Sequence, residues 1–594
     1  MPSDPFSLTA PEIQRLILPG KSPLPELDPA RRDLAALRTR PQTAIILAQT
    51  EDLMESLAQM PVTTYTPYRL FVRSGDRREY ETPYFLKRAK LAASALRLFL
   101  GQSELKDTVQ DYLWSICEET NWVLPAHENG IIDLFSAETG FMLAETLYVL
   151  GNTLDAEVRS RVRAEIERRI CEPYLRFHQL HWWYSAGMNW NGVCNSSVAA
   201  TFLLIEPEPA RVARALEIAF AGLRAFLESG FEPDGSSTEG VSYWHYGLIN
   251  LVALSEMLRA CTDGAIDPLA SERLRPIAAY PANLLLSTSK FATFSDCDDA
   301  LNFHPGIIAR LAERTGVTSL LSLIAPPVPG EQNWRLPMML RSILWWDGTY
   351  HPGPPSADTY LPYGGIARLI ARTPQGRPLV LAIKAGHNDE NHNHNDIGSF
   401  ILHVDGETLL ADPGRGLYTR DYFNARRYEN VFAQSYSHSV PRIGGTMQQA
   451  GREFHGEVLA VEKDAAAKRV KLEFARAYPL TDLASARRQI ALDPAGAITL
   501  QDVFRFSANP AGIEEAFVTW CDVHIDGATA FVRAERHTLN LNIESPGGVQ
   551  FELERLEKES QDNRKPGVLK RLTVRLPVQS EAQFRMRMLI EENA

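Results

Sequence analysis

The segment Gly386–Phe400, GHNDENHNHNDIGSF, crowds three histidines and three acids into fifteen residues of a chain with 14 histidines in all. In an extended backbone, residues two apart point the same way. His392 and His394 then share one face, and Asn391, Asn393 and Asn395 occupy the other. Two imidazoles on one face begin a metal site, but further ligands must come from elsewhere. Asp412 in LLADPGRG lies just past the next strand-like run, and His438 in SYSHSVPRI is the next histidine after His403. A His–His–Asp set with an open fourth position suits Zn²⁺ or Mn²⁺. The bland alternative is a solvated loop without metal. A cupin is excluded, because its expected glutamate falls on Gly398 or Ser399.

Three further clusters carry chemistry. GMNWNGVCN (187–195) sets three asparagines among aromatic and small residues. Asparagine amides donate hydrogen bonds to a carboxylate without competing for its proton. At least one of them is expected to cap a helix that starts at Asn195 or Ser196. DGSSTEGVSYWHY (234–246) is a polar loop running into a helix, where Tyr243 and Tyr246 fall on one face. Such aromatics are more often core than cleft, but tyrosine and tryptophan faces also suit sugar rings. GRGLYTRDYFNARRY (414–428) holds Arg415, Arg420, Arg426 and Arg427 among three tyrosines. Arginine pairs carboxylates and sulfates in a bidentate way.

The elements that position these clusters change character along the chain. Up to about residue 330 the apolar residues recur every three to four positions, as in FLKRAKLAASALRLFL (85–100) and ARVARALEIAFAGLRAFLESG (210–230). Several of these segments are apolar on more than one face, which predicts helices buried between neighbours. Residues 331–360 read as a proline- and glycine-rich linker. After about 360 the period becomes two, as in RLTVRLPV and FRMRML, which predicts half-buried antiparallel strands and functional loops within 412–450. The expected domains are therefore 1–330, helical, and 361–594, an antiparallel β-sheet domain with a division near 510 as an option.

Composition limits the function. The chain has 594 residues, 61 basic and 73 acidic, for a net charge of −12. A nucleic-acid binder would be basic, so no nucleic-acid partner is expected, and any polyanion needs a local basic patch such as 415–427. The six cysteines form no CxxC pair and read as buried free thiols. No window of about 18 uninterrupted apolar residues exists, so no membrane span is expected. The N-terminus lacks a basic region followed by an apolar core. A cytoplasmic location is expected for the chain as given, and a periplasmic or secreted one if a leader was removed. The oligomeric state is open, a homodimer being one option.

NWNGVCN, DGSSTEGVSYWHYG, HNHNDIGSF, ADPG and SHSVPRIGG, in this order and with WVLPAH (122–127) before them, resemble the heparinase II/III-like family of polysaccharide lyases. The resemblance spans about 80–450 and implies an α+β multidomain fold, an N-terminal (α/α) toroid followed by antiparallel β-sheet. It implies β-elimination in a uronate-containing acidic polysaccharide: a glycosaminoglycan such as heparan sulfate, chondroitin or hyaluronan first, alginate or another polyuronate second. By the same resemblance Asn189, Tyr243 and His392 are catalytic, and His394, Asp412 and His438 hold one divalent ion, Zn²⁺ or Mn²⁺, in a structural role. Substrate contacts are expected from Trp190, Asn191, Glu239, Tyr246, Arg415, Arg420, Arg427 and Tyr428. The chain departs from the family pattern at His438-Ser-Val, and some members have histidine where Asn189 stands. Two other classes remain open: a glycoside hydrolase using Asp234 and Glu239, which needs a carboxylate pair, and a non-catalytic glycan-binding protein.

Overall fold

The computed structural model describes residues 4–30, 32–128, 131–327, 335–463 and 467–593. The chain divides into two units that interleave in sequence. The first comprises 1–231, 243–279 and 302–352. The second comprises 232–242, 280–301 and 353–594.

The first unit is helical. The expected helices form at Arg78–Phe99, Lys106–Cys117, Pro209–Ser229 and Val241–Cys261. Leu134–Leu150 is buried almost all round, which explains its lack of a polar face. Its start is fixed by a reciprocal cap: the Asp133 carboxylate accepts from Ser136 N at 2.8 Å and Ser136 Oγ accepts from Asp133 N at 2.9 Å. Charges inside the unit are paired, as in Arg88–Glu119 (2.9 Å) and Arg341–Glu145 (2.5 Å). No described helix is long and apolar enough to cross a membrane.

The second unit is antiparallel sheet. Leu483–Leu492, Ile498–Phe506 and Glu581–Glu592 lie side by side within a nine-stranded sheet. Glu581–Glu592 alternates buried and exposed as its period-two sequence requires. A five-stranded sheet contains Ile366–Arg372, Pro378–Lys384, Phe400–Val404 and Glu407–Leu410. A four-stranded sheet contains Ile513–Thr519 and Leu569–Leu576. One apolar core joins residues from all three.

The structure differs from the sequence expectations in four places. Strands on both sides of residue 510 share the nine-stranded sheet, so no domain boundary falls there. The helix Leu336–Trp345 lies inside the expected linker, of which residues 331–334 fall outside the described residues. Within the expected helical half, Leu285–Ser287 and Lys290–Phe291 form a small hairpin that belongs to the second unit. Leu569–Leu576 is covered on both faces rather than half-buried: Arg571 is 2% exposed, pairs with Glu554 and Glu514, and stacks on Tyr436.

Candidate active site and metal centre

The histidine-rich loop is the connection of a hairpin. Ile383 pairs with Phe400 across Pro378–Lys384 and Phe400–Val404. Lys384 N donates to Ser399 O (3.0 Å) and Gly398 N to Lys384 O (2.8 Å), which closes the loop at its base. Gly398, at φ +93°, adopts a backbone that side chains resist. The buried Lys384 ammonium pairs with Asp396 (2.9 Å) and Glu390 (3.3 Å). Those acids thus hold the loop rather than face a ligand. Gln448 bonds both N and O of Ile397, and Arg488 donates to Gly398 O (2.8 Å) and Ser439 O (2.6 Å).

Residues 391–399 form turns rather than the extended run expected from sequence. His392 and His394 nevertheless reach one partner, Asp296, on the segment that follows the small hairpin. His392 Nδ1 lies 2.8 Å from Asp296 Oδ2, and His394 Nε2 lies 2.9 Å from Oδ1. Tyr422 OH donates to Oδ1 (2.7 Å), and Arg427 Nη2 lies 2.9 Å from Oδ2. Burial pushes the Asp296 carboxyl up, but the hydrogen bonds from both histidines and the Arg427 charge outweigh it and hold it well below the usual range. The other ring nitrogen of His392, Nε2, lies 3.5 Å from Glu239 Oε1. The backbone is left-handed at His392 (φ +55°) and at Ser295 (φ +66°), beside Asp296. Each such residue stores strain of order 1–3 kcal/mol, which the surrounding contacts must hold in place.

His394, Asp412 and His438 come from three loops, and their ligand atoms lie within 4.8 Å of one another. All three side chains are buried. His438 Nδ1 lies 2.8 Å from Asp412 Oδ2. Burial lowers the proton affinity of His438, and the Asp412 carboxylate more than reverses this; for His394 burial prevails and the ring is held below its usual range. The remaining nitrogens, His394 Nδ1 and His438 Nε2, are buried and have no hydrogen-bond partner among the described residues. A buried lone pair without a partner is costly. Imidazoles fixed through one nitrogen by a carboxylate, with the other turned to a shared point, are the donor set a divalent cation takes. The residues therefore fit the expected metal.

The basic stretch divides. Arg420 and Arg426 are exposed, and Arg426 pairs with Asp421 and Glu429. Arg415 bonds Asp298 (2.9 Å) and lies over the Tyr418 ring. Arg427, expected at the substrate, turns inward instead: it serves Asp296, donates to Asn393 O (3.0 Å) and stacks on Tyr422. Tyr428 OH accepts from Asn393 Nδ2 at 3.2 Å.

In the first unit the helix starts at Asn189, not at Asn195 or Ser196, so NWN forms its first turn. Asn189 is 1% exposed. A Cβ on Gly192 would come within 2.6 Å of Gly247 O, and one on Gly247 within 3.3 Å of Asn189 Cα. The two glycines let Asn189–Ile205 and Val241–Cys261 approach backbone to backbone. This brings Asn189 beside Gly247, four residues after Tyr243. Trp190 packs against His127 of WVLPAH and against the exposed Trp182.

Two expected substrate contacts in this unit are spent on structure. Asn191 is fully buried; its amide donates to Ala186 O and Gly222 O and accepts from Asn195. Tyr246 OH donates to Glu138 Oε2 (2.9 Å), which Arg335 also grips, and burial with this carboxylate raises the phenol far above its usual range. His245 accepts from His304 N, and burial together with Arg335 pushes it down to about 3. We predict that Asn191→Ala lowers stability by about 1–3 kcal/mol for each carbonyl left unsatisfied. A lower urea midpoint with KM unchanged is the expected reading, and a raised KM with unchanged stability would return Asn191 to the substrate.

Asp296, at the centre of this cluster, belongs to none of the sequence motifs. Its one signal is FSDCDDA (294–300), three acids in an otherwise apolar stretch.

The family model "Heparinase II/III-like, C-terminal" matches residues 353–575. The chain carries a heparinase II/III-like C-terminal domain. That domain contains the histidine-rich loop, Asp412 and His438. No curated protein sequence matches the chain. Among solved structures, a heparinase III is 16% identical, with a TM-score of 0.61 over 87% of this chain and 77% of that one. A heparinase III described as the BT4657 gene product is 12% identical, with a TM-score of 0.59 over 90% and 85%. The heparan sulfate lyase HepC from Pedobacter heparinus is 12% identical, with a TM-score of 0.55 over 99% and 93%. At these identities the likeness establishes the fold: a helical N-terminal region followed by antiparallel sheet, over nearly the whole chain.

Proposed function

We propose that the protein is a polysaccharide lyase of the heparinase III type, which cleaves a uronate-containing glycan by β-elimination. The observation that carries this reading is the convergence of His394, Asp412 and His438 from three loops of the heparinase II/III-like domain, with His392 tied to the same buried Asp296.

The chemistry follows from the substrate. The C5 proton of a uronate is weakly acidic, because its loss places negative charge beside a carboxylate. Donors fixed in advance lower that barrier most. Asn189 and His392 are assigned to the carboxylate. Tyr243 takes the C5 proton as base and returns it to O4 as acid. The C5–H electron pair becomes the C4–C5 double bond, the C4–O4 bond breaks, and the protonated O4 leaves as the new reducing end. His394, Asp412 and His438 hold the divalent ion, Zn²⁺ or Mn²⁺. Bound there, it supplies positive charge and a cross-link between loops.

Heparan sulfate and related glycosaminoglycans are the first substrates in this proposal, since two of the similar structures are heparinases III and one is a heparan sulfate lyase. The exposed Arg420 and the half-exposed Arg415 are assigned to the polyanion. The hydrolase alternative loses support from Asp234, whose carboxylate accepts backbone N–H groups of Ser236, Tyr363 and Gly364 and so builds a turn. The test is a panel of heparan sulfate, unsulfated heparosan, chondroitin, hyaluronan and alginate, read by ultraviolet absorbance of the unsaturated product. Cleavage of a heparan-type chain is the expected result, and cleavage of alginate alone would overturn the substrate assignment.

A further inference from the structure

Asp296 lies outside the sequence motifs, and the proposed reaction gives it no task. Its side chain is completely buried, yet it is the most heavily bonded carboxylate near the site, with His392, His394, Tyr422 and Arg427 all within 2.9 Å. The Tyr422 hydroxyl donates to one of its oxygens and the Arg427 guanidinium lies against the other, so the carboxylate is built to accept. Both imidazoles lie at hydrogen-bond distance from it, and they meet it through opposite nitrogens. His392 is held through Nδ1, which leaves Nε2 on the side of the Glu239 carboxylate, 3.5 Å away. His394 is held through Nε2, which leaves Nδ1, a lone-pair donor, to face Asp412 and His438. The two oxygens of one carboxylate thus set the orientation of a ring assigned to the substrate and of a ring assigned to the metal.

We propose that Asp296 is a positioning residue that yokes His392 to His394, so that occupancy of the His394–Asp412–His438 site orders the imidazole that meets the substrate carboxylate. This rests on the lyase reading for His392, but its metal arm does not. The link is short and rigid. Arg427 and Tyr422 pin the carboxylate from their own side, with Gly416 N donating to the phenol oxygen at 3.0 Å. The left-handed backbone at Ser295 and His392 places strain at both ends of the Asp296–His392 contact. A ring released from Asp296 then has a backbone reason to move. Groups that orient a metal ligand typically change metal affinity by about 10–100-fold when removed.

The test is Asp296→Asn in the full chain, an isosteric change that removes the charge and turns one acceptor into a donor. Zn²⁺ affinity is measured by competition with a chromophoric chelator, and kcat and KM are measured at saturating Zn²⁺. The yoke predicts that Zn²⁺ affinity falls about 10–100-fold. It also predicts that kcat at saturating Zn²⁺ falls at least tenfold while KM moves much less. A loss of affinity with wild-type kcat at saturation makes Asp296 a metal support only and overturns the proposal. A loss of kcat with wild-type affinity makes it a support of His392 only and overturns the proposal equally. If Asp296→Asn does not fold, Tyr422→Phe removes one of the four contacts on Asp296. Both quantities should then fall together by a smaller factor, and no change in either would overturn the yoke. Absence of cleavage by the wild-type protein would overturn the lyase reading and leave the affinity result standing by itself.

Discussion

Tyr243→Phe should leave the protein folded and reduce turnover by about 10²–10⁴-fold or more, the range over which general acid–base groups act. The substitution removes only the phenolic hydroxyl and keeps the ring. Tyr246→Phe is the matched control, one turn further along the same helix. Its hydroxyl is spent on Glu138 within a buried cluster that also holds Arg335 and Asn250. Loss of that hydrogen bond should cost stability of about 1–3 kcal/mol, because it leaves a carboxylate acceptor short of a donor. The pair thus separates chemistry from packing. Measured by initial rates and urea unfolding, Tyr243→Phe should be stable and inactive, and Tyr246→Phe less stable with near-normal turnover. The reverse pattern would mean that the wrong tyrosine has been assigned.

Removal of the metal should produce the second large effect. The three ligands sit on loops, and Asp412 and His438 flank a stretch with no regular strand between Glu407–Leu410 and Arg442–Ile443. Backbone bonds such as Asn395 N to Ala433 O and Ala411 N to Val518 O tie these loops down, and a cation would add a cross-link between them. A cation bound at 100 times its dissociation constant stabilises the folded state by about 2.7 kcal/mol. Protein purified without added metal should contain about one Zn²⁺ or Mn²⁺ per chain, and chelation should lower its melting temperature. His394→Ala should contain little metal and show no further response to chelator. Equal and negligible metal in wild type and variant would remove the site from the account.

The two-part architecture is legible in the sequence because period 3.6 and period two are local signals that each segment carries by itself. Glu581–Glu592 follows its pattern residue by residue. Leu569–Leu576 does not, because Arg571 finds Glu514, Glu554 and the Tyr436 ring on the face expected to be wet. The His394–Asp412–His438 cluster is partly legible, since His392-x-His394 is a compact signal; Asp412 and His438 join it through the family resemblance. Asp296 is not legible, because it lies 96 residues from His392 and no spacing rule connects a segment after one hairpin to the loop of another. Asn191 and Tyr246 look like substrate contacts in the sequence because polar and aromatic residues near a catalytic motif look alike whether they face a ligand or a neighbouring helix. Their burial and their Ala186, Gly222 and Glu138 acceptors are tertiary facts that no local pattern carries. Arg427 misleads for the same reason, since its charge answers an acid that no sequence signal links to it.

Elimination and hydrolysis differ in the stoichiometry of their products. Wild-type protein loaded with Zn²⁺ or Mn²⁺ is incubated with a heparan-type chain. New reducing ends and the ultraviolet absorbance of C4–C5 unsaturated uronate are counted in the same samples over time. Elimination should give one unsaturated uronate for each new reducing end throughout, with both signals lost in Tyr243→Phe and His392→Ala. New reducing ends without ultraviolet absorbance would show hydrolysis and contradict it.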